Sequence, residues 1–270
     1  MKAVISTTYD DKYLYFLPIV CFCWRKLNVD VICFMPDITT KTQAEANRYF
    51  LIQDTILKFN GKESTNWFQA PEHKEATYAQ CSRLYGACLD LPEDEILVTS
   101  DIDMAVFKVP PFAYLGGFTI LGADLVPDGQ LPMCYVTATV KDWRGAFGLL
   151  NITYQQALDR LLDKDECQDY RACRWSVDQE QMRNKIFNSN SSINLLPRSN
   201  GQNQFAQNRV DRDDTNWRSY VNDDLIDAHL WRNGYEEQNH NNIMELMQMR
   251  FPNEDFTWLD NYRNAYKELL

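Results

Sequence analysis

The chain has 270 residues, 45% of them hydrophobic and 13% aromatic, which supports one large domain or a small pair with a substantial core. Its 27 Lys and Arg against 38 Asp and Glu give a formal charge of −11. That balance excludes a protein whose main task is gripping nucleic acid, which needs a basic face, and leaves room for a local basic pocket around a small anion.

KAVISTT (2–8) is a β-rich run, and a first strand is predicted there. The start MKAVISTTYDD turns polar too early for a signal peptide, so a cytoplasmic location is expected. The apolar run YLYFLPIVCFCW (13–24) is short of the roughly 20 residues that span a bilayer and reads as part of a buried helix over about 12–26. No transmembrane segment is expected. VDVICFM (29–35) predicts a second buried strand, closed by Pro36. Helical spacing follows over 42–59, with Asn60-Gly61 as a stop. Residues 66–70 suit a short strand, 74–91 a helix ended by Pro92, and EILVTS (95–100) a buried strand. Eight cysteines form no CxxC pair and are expected as free thiols.

Strand and helix alternating over the first 105 residues predict an α/β chain with a Rossmann-like, mostly parallel central sheet flanked by helices. Ligands bind such sheets at the carboxyl ends of the strands. Two stretches converge there: Ser6-Thr7-Thr8-Tyr9 after the first strand, and Asp101-Ile102-Asp103 after strand 95–100. The second half predicts strands over 118–126 and 133–140, helices over 153–163 and 177–187, and a strand over 192–197. A polar segment, 199–216, reads as a loop beside the site or a mobile one. Two helices, about 239–250 and 255–269, close the chain.

In an extended segment Asp101 and Asp103 project to one side, with Ile102 opposite. Two neighbouring carboxylates repel each other, and a divalent cation removes that cost. Oxygen ligands favour Mg²⁺ or Mn²⁺, and such an ion with open positions bridges phosphate oxygens. The plain alternative is a solvated turn after a strand.

ATYAQCSRLYGACLDLPEDEILVTSDIDMAVF (76–107) resembles the central signature of GT-A glycosyltransferases, closest to the glycogenin-like, family 8 kind. The resemblance implies a single GT-A domain. Residues 1–107 would form its nucleotide-sugar half, 108–235 its acceptor half and metal-closing loop, and 236–270 its terminal helices. Arg83 falls on the arginine that reaches the donor sugar-phosphate, and Asp101-Ile102-Asp103 on the D-x-D that binds Mn²⁺ and the donor. WSVDQEQMRN (175–184) resembles the Asp-Gln block beside the reacting sugar, which makes Asp178 and Gln179 catalytic candidates. DAHLWRNGY (227–235) resembles the block whose histidine completes the metal site. His229 would be the third ligand, and Arg232 and the Gly234 backbone would approach the diphosphate. Thr7, Thr8 and Tyr9 would touch the nucleotide.

The sequence also departs from the family. CYVTATVKDW (134–143) stands where an Asn-x-Gly is usual, Glu180 and Gln181 follow the Asp-Gln pair, and the C-terminal block has no Lys-Pro-Trp ending. Inversion, with Asp178 as base, and retention, with Gln179 near the reacting carbon, both stay open. The implied activity is metal-dependent transfer of a hexosyl or pentosyl group from a nucleotide-diphosphate sugar, UDP favoured over GDP, to a hydroxyl of a glycan or glycoconjugate. Two other readings stand beside it. One is a nucleotide-sugar-binding protein without turnover. The other is a D-x-D phosphatase of the haloacid-dehalogenase kind, where Ala105 replaces the usual Thr or Val.

Overall fold

The structure, a computed structural model, describes residues 1–59, 63–71, 74–109, 114–162, 176–199 and 207–270. Its strands begin with β1 (Lys2–Ser6), β2 (Asp30–Pro36), β3 (Glu63–Phe68) and β4 (Ile96–Thr99). They lie side by side in the order β3-β2-β1-β4, all parallel. Parallel strands covered on both faces read as unbroken apolar runs. Ala3, Ile5, Val31 and Cys33 enter the core on one face, and Val4 and Ile32 the core on the other.

Helices α2 (Leu17–Lys26), α3 (Gln43–Lys58), α8 (Glu237–Arg250) and α9 (Thr257–Glu268) pack into the first core. The second takes α4 (Glu75–Ser82), α5 (Val140–Phe147), α6 (Tyr154–Leu162) and α7 (Val177–Phe187). Every residue from Leu17 to Trp24 is buried, so the early apolar run is a core helix, as expected. Among the described residues no helix is long and apolar enough to cross a membrane.

The sheet continues past residue 107. β7 (Val136–Thr139) pairs with β4, β6 (Phe118–Leu121) pairs with β7, and β8 (Ile193–Leu196) closes the edge. β7 alone runs against the other six strands. That gives the mostly parallel α/β sheet expected, in one domain. A second sheet, not foreseen, joins β5 (Met104–Val106), β10 (Asp227–His229) and β9 (Arg209–Val210).

Several boundaries differ from expectation. The helix expected over 12–26 is broken into α1 (Asp11–Leu14) and α2, with Pro18 in the first turn of α2. The helix expected over 74–91 tightens at Arg83 into a 3₁₀ segment, Arg83–Cys88. The third strand begins at Glu63 rather than residue 66. The strand expected over 118–126 stops at Leu121, because Gly122 turns left-handed at φ 80°. The strand expected over 133–140 holds only Val136–Thr139, and α5 starts directly after it. In the polar segment, Arg209–Val210 pairs as a strand, while residues 200–206 lie outside the described residues. So do the Asn60-Gly61 stop and Trp175.

Thr139 makes the strand-to-helix step sharp. Its Oγ accepts from the Asp142 N–H at 3.1 Å and donates to the Asp142 carboxylate at 2.7 Å. Thr139→Ala should therefore lower stability by about 1 kcal/mol in urea denaturation, the usual cost of a lost N-cap. An unchanged midpoint would show that the cap contributes nothing.

Candidate functional site

A cleft of about 490 Å³ opens at the sheet edge where β1 and β4 end. Ten of the residues singled out in the sequence line it: Thr7, Thr8, Arg83, Asp101, Ile102, Asp103, Asp178, Gln179, His229 and Arg232. Tyr9 and Gly234 do not. The Tyr9 ring is buried and its hydroxyl donates to the Pro36 carbonyl at 3.3 Å. Gly234 lies against α1 and α2: a Cβ there would stand 2.7 Å from the Phe16 ring and 2.9 Å from the Tyr15 ring. The need for glycine at 234 is thus a packing need.

Strand register explains the convergence. β10 runs antiparallel to β5 with His229 opposite Met104, and the Leu230 N–H donates to the Asp103 carbonyl at 2.8 Å. The His229 ring consequently falls beside the Asp103 side chain, with Nε2 3.2 Å from Oδ2. β9 runs parallel to β10 with Arg209 opposite Asp227, so Asp211 arrives 3.7 Å from His229 Nδ1. Arg212 follows and puts Nη1 2.8 Å from Asp103 Oδ2.

The lone antiparallel strand brings another partner. β7 enters the sheet at the edge where β4 leaves it, so Cys134, just before β7, meets Asp101 and hydrogen-bonds its carboxylate. Tyr135 takes φ 65°, a region costly for a bulky side chain, of order 1–3 kcal/mol. In that kink the Tyr135 N–H donates to the Thr99 carbonyl at 2.7 Å, and the Tyr135 carbonyl accepts from Leu121 at 3.2 Å.

Arg83 sits at the junction of α4 and its 3₁₀ extension and is buried. It pairs with Asp101, and its Nη2 lies 3.1 Å from Asp178 Oδ2. Burial opposes the guanidinium charge, but Asp101 and Asp178 outweigh it and raise the pKa further. Asp178 is fully buried, and its other oxygen accepts from Gln80 Nε2 at 2.9 Å and the Gln179 N–H at 2.8 Å. Burial pushes its carboxyl up to about 6, with Arg83 pulling the other way. Gln179, next along α7, lines the cleft.

Asp103 is nine-tenths buried. Burial would raise its pKa, yet His229 and Arg212 win and hold it at about 2. Burial would likewise lower the pKa of His229, but its bonds to Asp103 and Asp211 raise it to about 9. As they stand, the described residues contain no group of three His, Cys, Asp or Glu side chains arranged to hold a metal ion. The donor chemistry nevertheless suits a hard divalent cation: an ionised buried carboxylate, an imidazole, and the Asp101 carboxylate on one wall. Their oxygens are engaged by Arg83, Arg212 and Cys134 instead.

Sequence reasoning missed Gln80, Cys134 and the arginines of the polar segment. Arg198, Arg209 and Arg212 join Arg83 and Arg232 around the cleft. Arg232 is exposed and lies 5.8 Å above the Tyr13 ring. Behind the cleft Arg198 grips both oxygens of buried Asp227, at 2.7 and 2.8 Å, and Arg209 adds bonds at 2.9 and 3.2 Å. An acidic chain thus gathers five arginines at one place, four of them paired with aspartates of the cleft or just behind it.

No protein-family model matches this chain, and no curated protein sequence does. Solved structures do. The crystal structure of the galactosyltransferase LgtC in complex with donor and acceptor sugar analogues matches 97% of this chain and 100% of its own, at TM-score 0.55 and 10% identity. An active-site mutant of LgtC matches 91% of this chain and 95% of its own, at TM-score 0.52 and 10% identity. The likeness shows the fold: a GT-A type α/β architecture.

Asp227 offers a direct test of the clamp. Burial alone would raise its pKa, but Arg198 and Arg209 hold its carboxyl well below the usual carboxylate range. A depressed carboxyl stabilises the fold above its unfolded pKa, about 3.9, and loses that contribution as pH falls below it. Asp227→Asn should cost about 3–5 kcal/mol near neutrality, since it strands the buried Arg198 and the part-buried Arg209 guanidinium groups. Urea denaturation from pH 7 downward should show the gap to wild type narrowing below about pH 4. A gap independent of pH would mean the charge is not what the clamp stabilises.

Proposed function

We propose that the cleft binds a nucleotide-diphosphate sugar and transfers its sugar to a hydroxyl of a glycan or glycoconjugate. The observation that carries this is the register of β10 on β5, which brings His229 against the second D-x-D carboxylate, Asp103, inside an arginine-lined cleft. The fold shared with a galactosyltransferase captured with donor and acceptor sugar analogues supports it.

Asp101, Asp103 and His229 would hold Mn²⁺ or Mg²⁺. Such an ion supplies Lewis-acid charge that lowers the energy of a departing diphosphate. To become a ligand, His229 must lose the proton that its two aspartates favour, so metal affinity should strengthen as pH rises toward 9. Arg83, held in place from both sides, offers a fixed guanidinium to the sugar-phosphate, and exposed Arg232 offers another from the rim. Thr7 and Thr8, at the end of β1, would face the nucleotide.

Asp178 stands behind Arg83. Both of its oxygens are already engaged, by Arg83 on one side and by Gln80 and the Gln179 N–H on the other. In this arrangement it positions Arg83, and to serve as the base of an inverting route it would first give up one of those bonds. Gln179, lining the cleft beside it, would stand near the reacting carbon if the configuration is retained.

Thermal-shift measurements with UDP- and GDP-sugars, with and without Mn²⁺, test the reading. One nucleotide class should raise the melting temperature only with Mn²⁺, and Asp103→Asn should remove that dependence while leaving a folded protein. Release of the nucleoside diphosphate from the donor, with sugar appearing on an acceptor, separates transfer from mere binding. No Mn²⁺-dependent shift with any nucleotide sugar would sink the proposal. Hydrolysis of simple phosphomonoesters would favour the phosphatase instead.

A further inference from the structure

Arg212 is a cation that Asp103 holds inside the cleft. Its Nη1 is 2.8 Å from Asp103 Oδ2, and His229 Nε2 reaches the same oxygen at 3.2 Å. All three residues line the cleft. The pair differs from the clamp behind it, where Arg198 and Arg209 together fill both oxygens of Asp227. At Asp103, guanidinium and imidazole meet on one oxygen.

A divalent cation that took Asp103 and His229 as ligands would compete for that oxygen. It would also face a guanidinium within a few ångströms, a like-charge contact made strong by the partly buried setting. Side-chain hydrogen bonds alone hold the Arg212 guanidinium at Asp103 among the described residues. Arg212 stands in a turn in which the Asp214 N–H donates to the Asp211 carbonyl at 3.0 Å, and among the described residues its one other hydrogen bond is a 3.4 Å contact from Nη1 to the Leu230 carbonyl. Exposed Arg232 shares the same cleft, so a guanidinium that swings away from Asp103 stays beside another cationic side chain.

We propose that Arg212 is a stand-in cation. It neutralises Asp103 while the metal is away, yields that oxygen when the metal binds, and turns to the diphosphate that arrives with the donor. The inference rests on the donor site proposed above. Its consequence is coupling: the metal alone must displace Arg212 into water, whereas metal and diphosphate together give Arg212 a new partner. Mn²⁺ alone therefore binds weakly, and a nucleoside diphosphate strengthens it.

The test measures Mn²⁺ alone by the electron paramagnetic resonance signal of the free ion, and UDP or GDP in the presence of Mn²⁺ by calorimetry. Arg212→Gln should bind Mn²⁺ alone roughly tenfold tighter than wild type, about 1.4 kcal/mol, and should bind the nucleoside diphosphate with Mn²⁺ more weakly. Arg212→Lys keeps the charge and should return Mn²⁺ affinity toward the wild-type value. A residue with only a structural role would weaken both ligands together in either variant. Arg212→Met, which keeps the apolar stem, serves the same purpose if Arg212→Gln does not fold. If wild type binds Mn²⁺ and a nucleoside diphosphate but neither neutral variant binds Mn²⁺ more tightly, the stand-in role is overturned. If wild type binds neither Mn²⁺ nor UDP nor GDP, the donor-site reading fails and this inference falls with it.

Discussion

A carboxylate taken out of water costs several kcal/mol unless a cation and hydrogen bonds meet it. This chain buries Asp103, Asp178 and Asp227 at or behind one sheet edge. Each is met by arginine: Arg212, Arg83, and the pair Arg198 and Arg209. That compensation explains why a protein of formal charge −11 gathers arginines at one place. The same groups that neutralise the carboxylates without ligand are those a diphosphate would draw on, so charge balance inside the cleft and ligand binding are parts of one problem.

The compensation depends on two sheets meeting. The large sheet ends β4 at the D-x-D and, through its one antiparallel strand, delivers Cys134 to Asp101. The small sheet folds residues 209–210 and 227–229 back onto 104–106, which carries Asp211, Arg212 and His229 to the same place. Side chains more than 100 positions apart thus come within hydrogen-bond distance because backbone ladders set their register. Ladders fix position to within a hydrogen bond, which suits a site that must hold an anion in register.

Much of the fold was legible. Buried strands appear as apolar runs because both faces of the parallel sheet are covered, and α2 because it is buried along its first eight residues. The D-x-D was legible because carboxylates after such a run have no packing role. Other features were not. The start of α5 was hidden in MCYVTATV, although Thr139 and Asp142 carry a cap signal that the β-rich residues before them obscured. The change at Arg83 from α to 3₁₀ helix follows no helix breaker in sequence. Gly234 looked like a place for a backbone to approach a ligand, and it is one where Phe16 and Tyr15 leave no room for a Cβ.

The sequence by itself determined the layering, the strands that end at the cleft, and Thr7, Thr8, Asp101 and Asp103 at those ends, because local periodicity and strand-end chemistry are written in neighbouring residues, while Arg83, Asp178, Gln179, His229 and Arg232 were reached only through the resemblance to GT-A glycosyltransferases. Only the tertiary structure decided which charges answer which. That Arg212 meets Asp103, that Asp178 holds Arg83 rather than standing free, and that Cys134 reaches Asp101 all follow from pairing between distant segments. Such pairing is set by the register of ladders and the direction of β7, and neither leaves a mark in any short window of sequence.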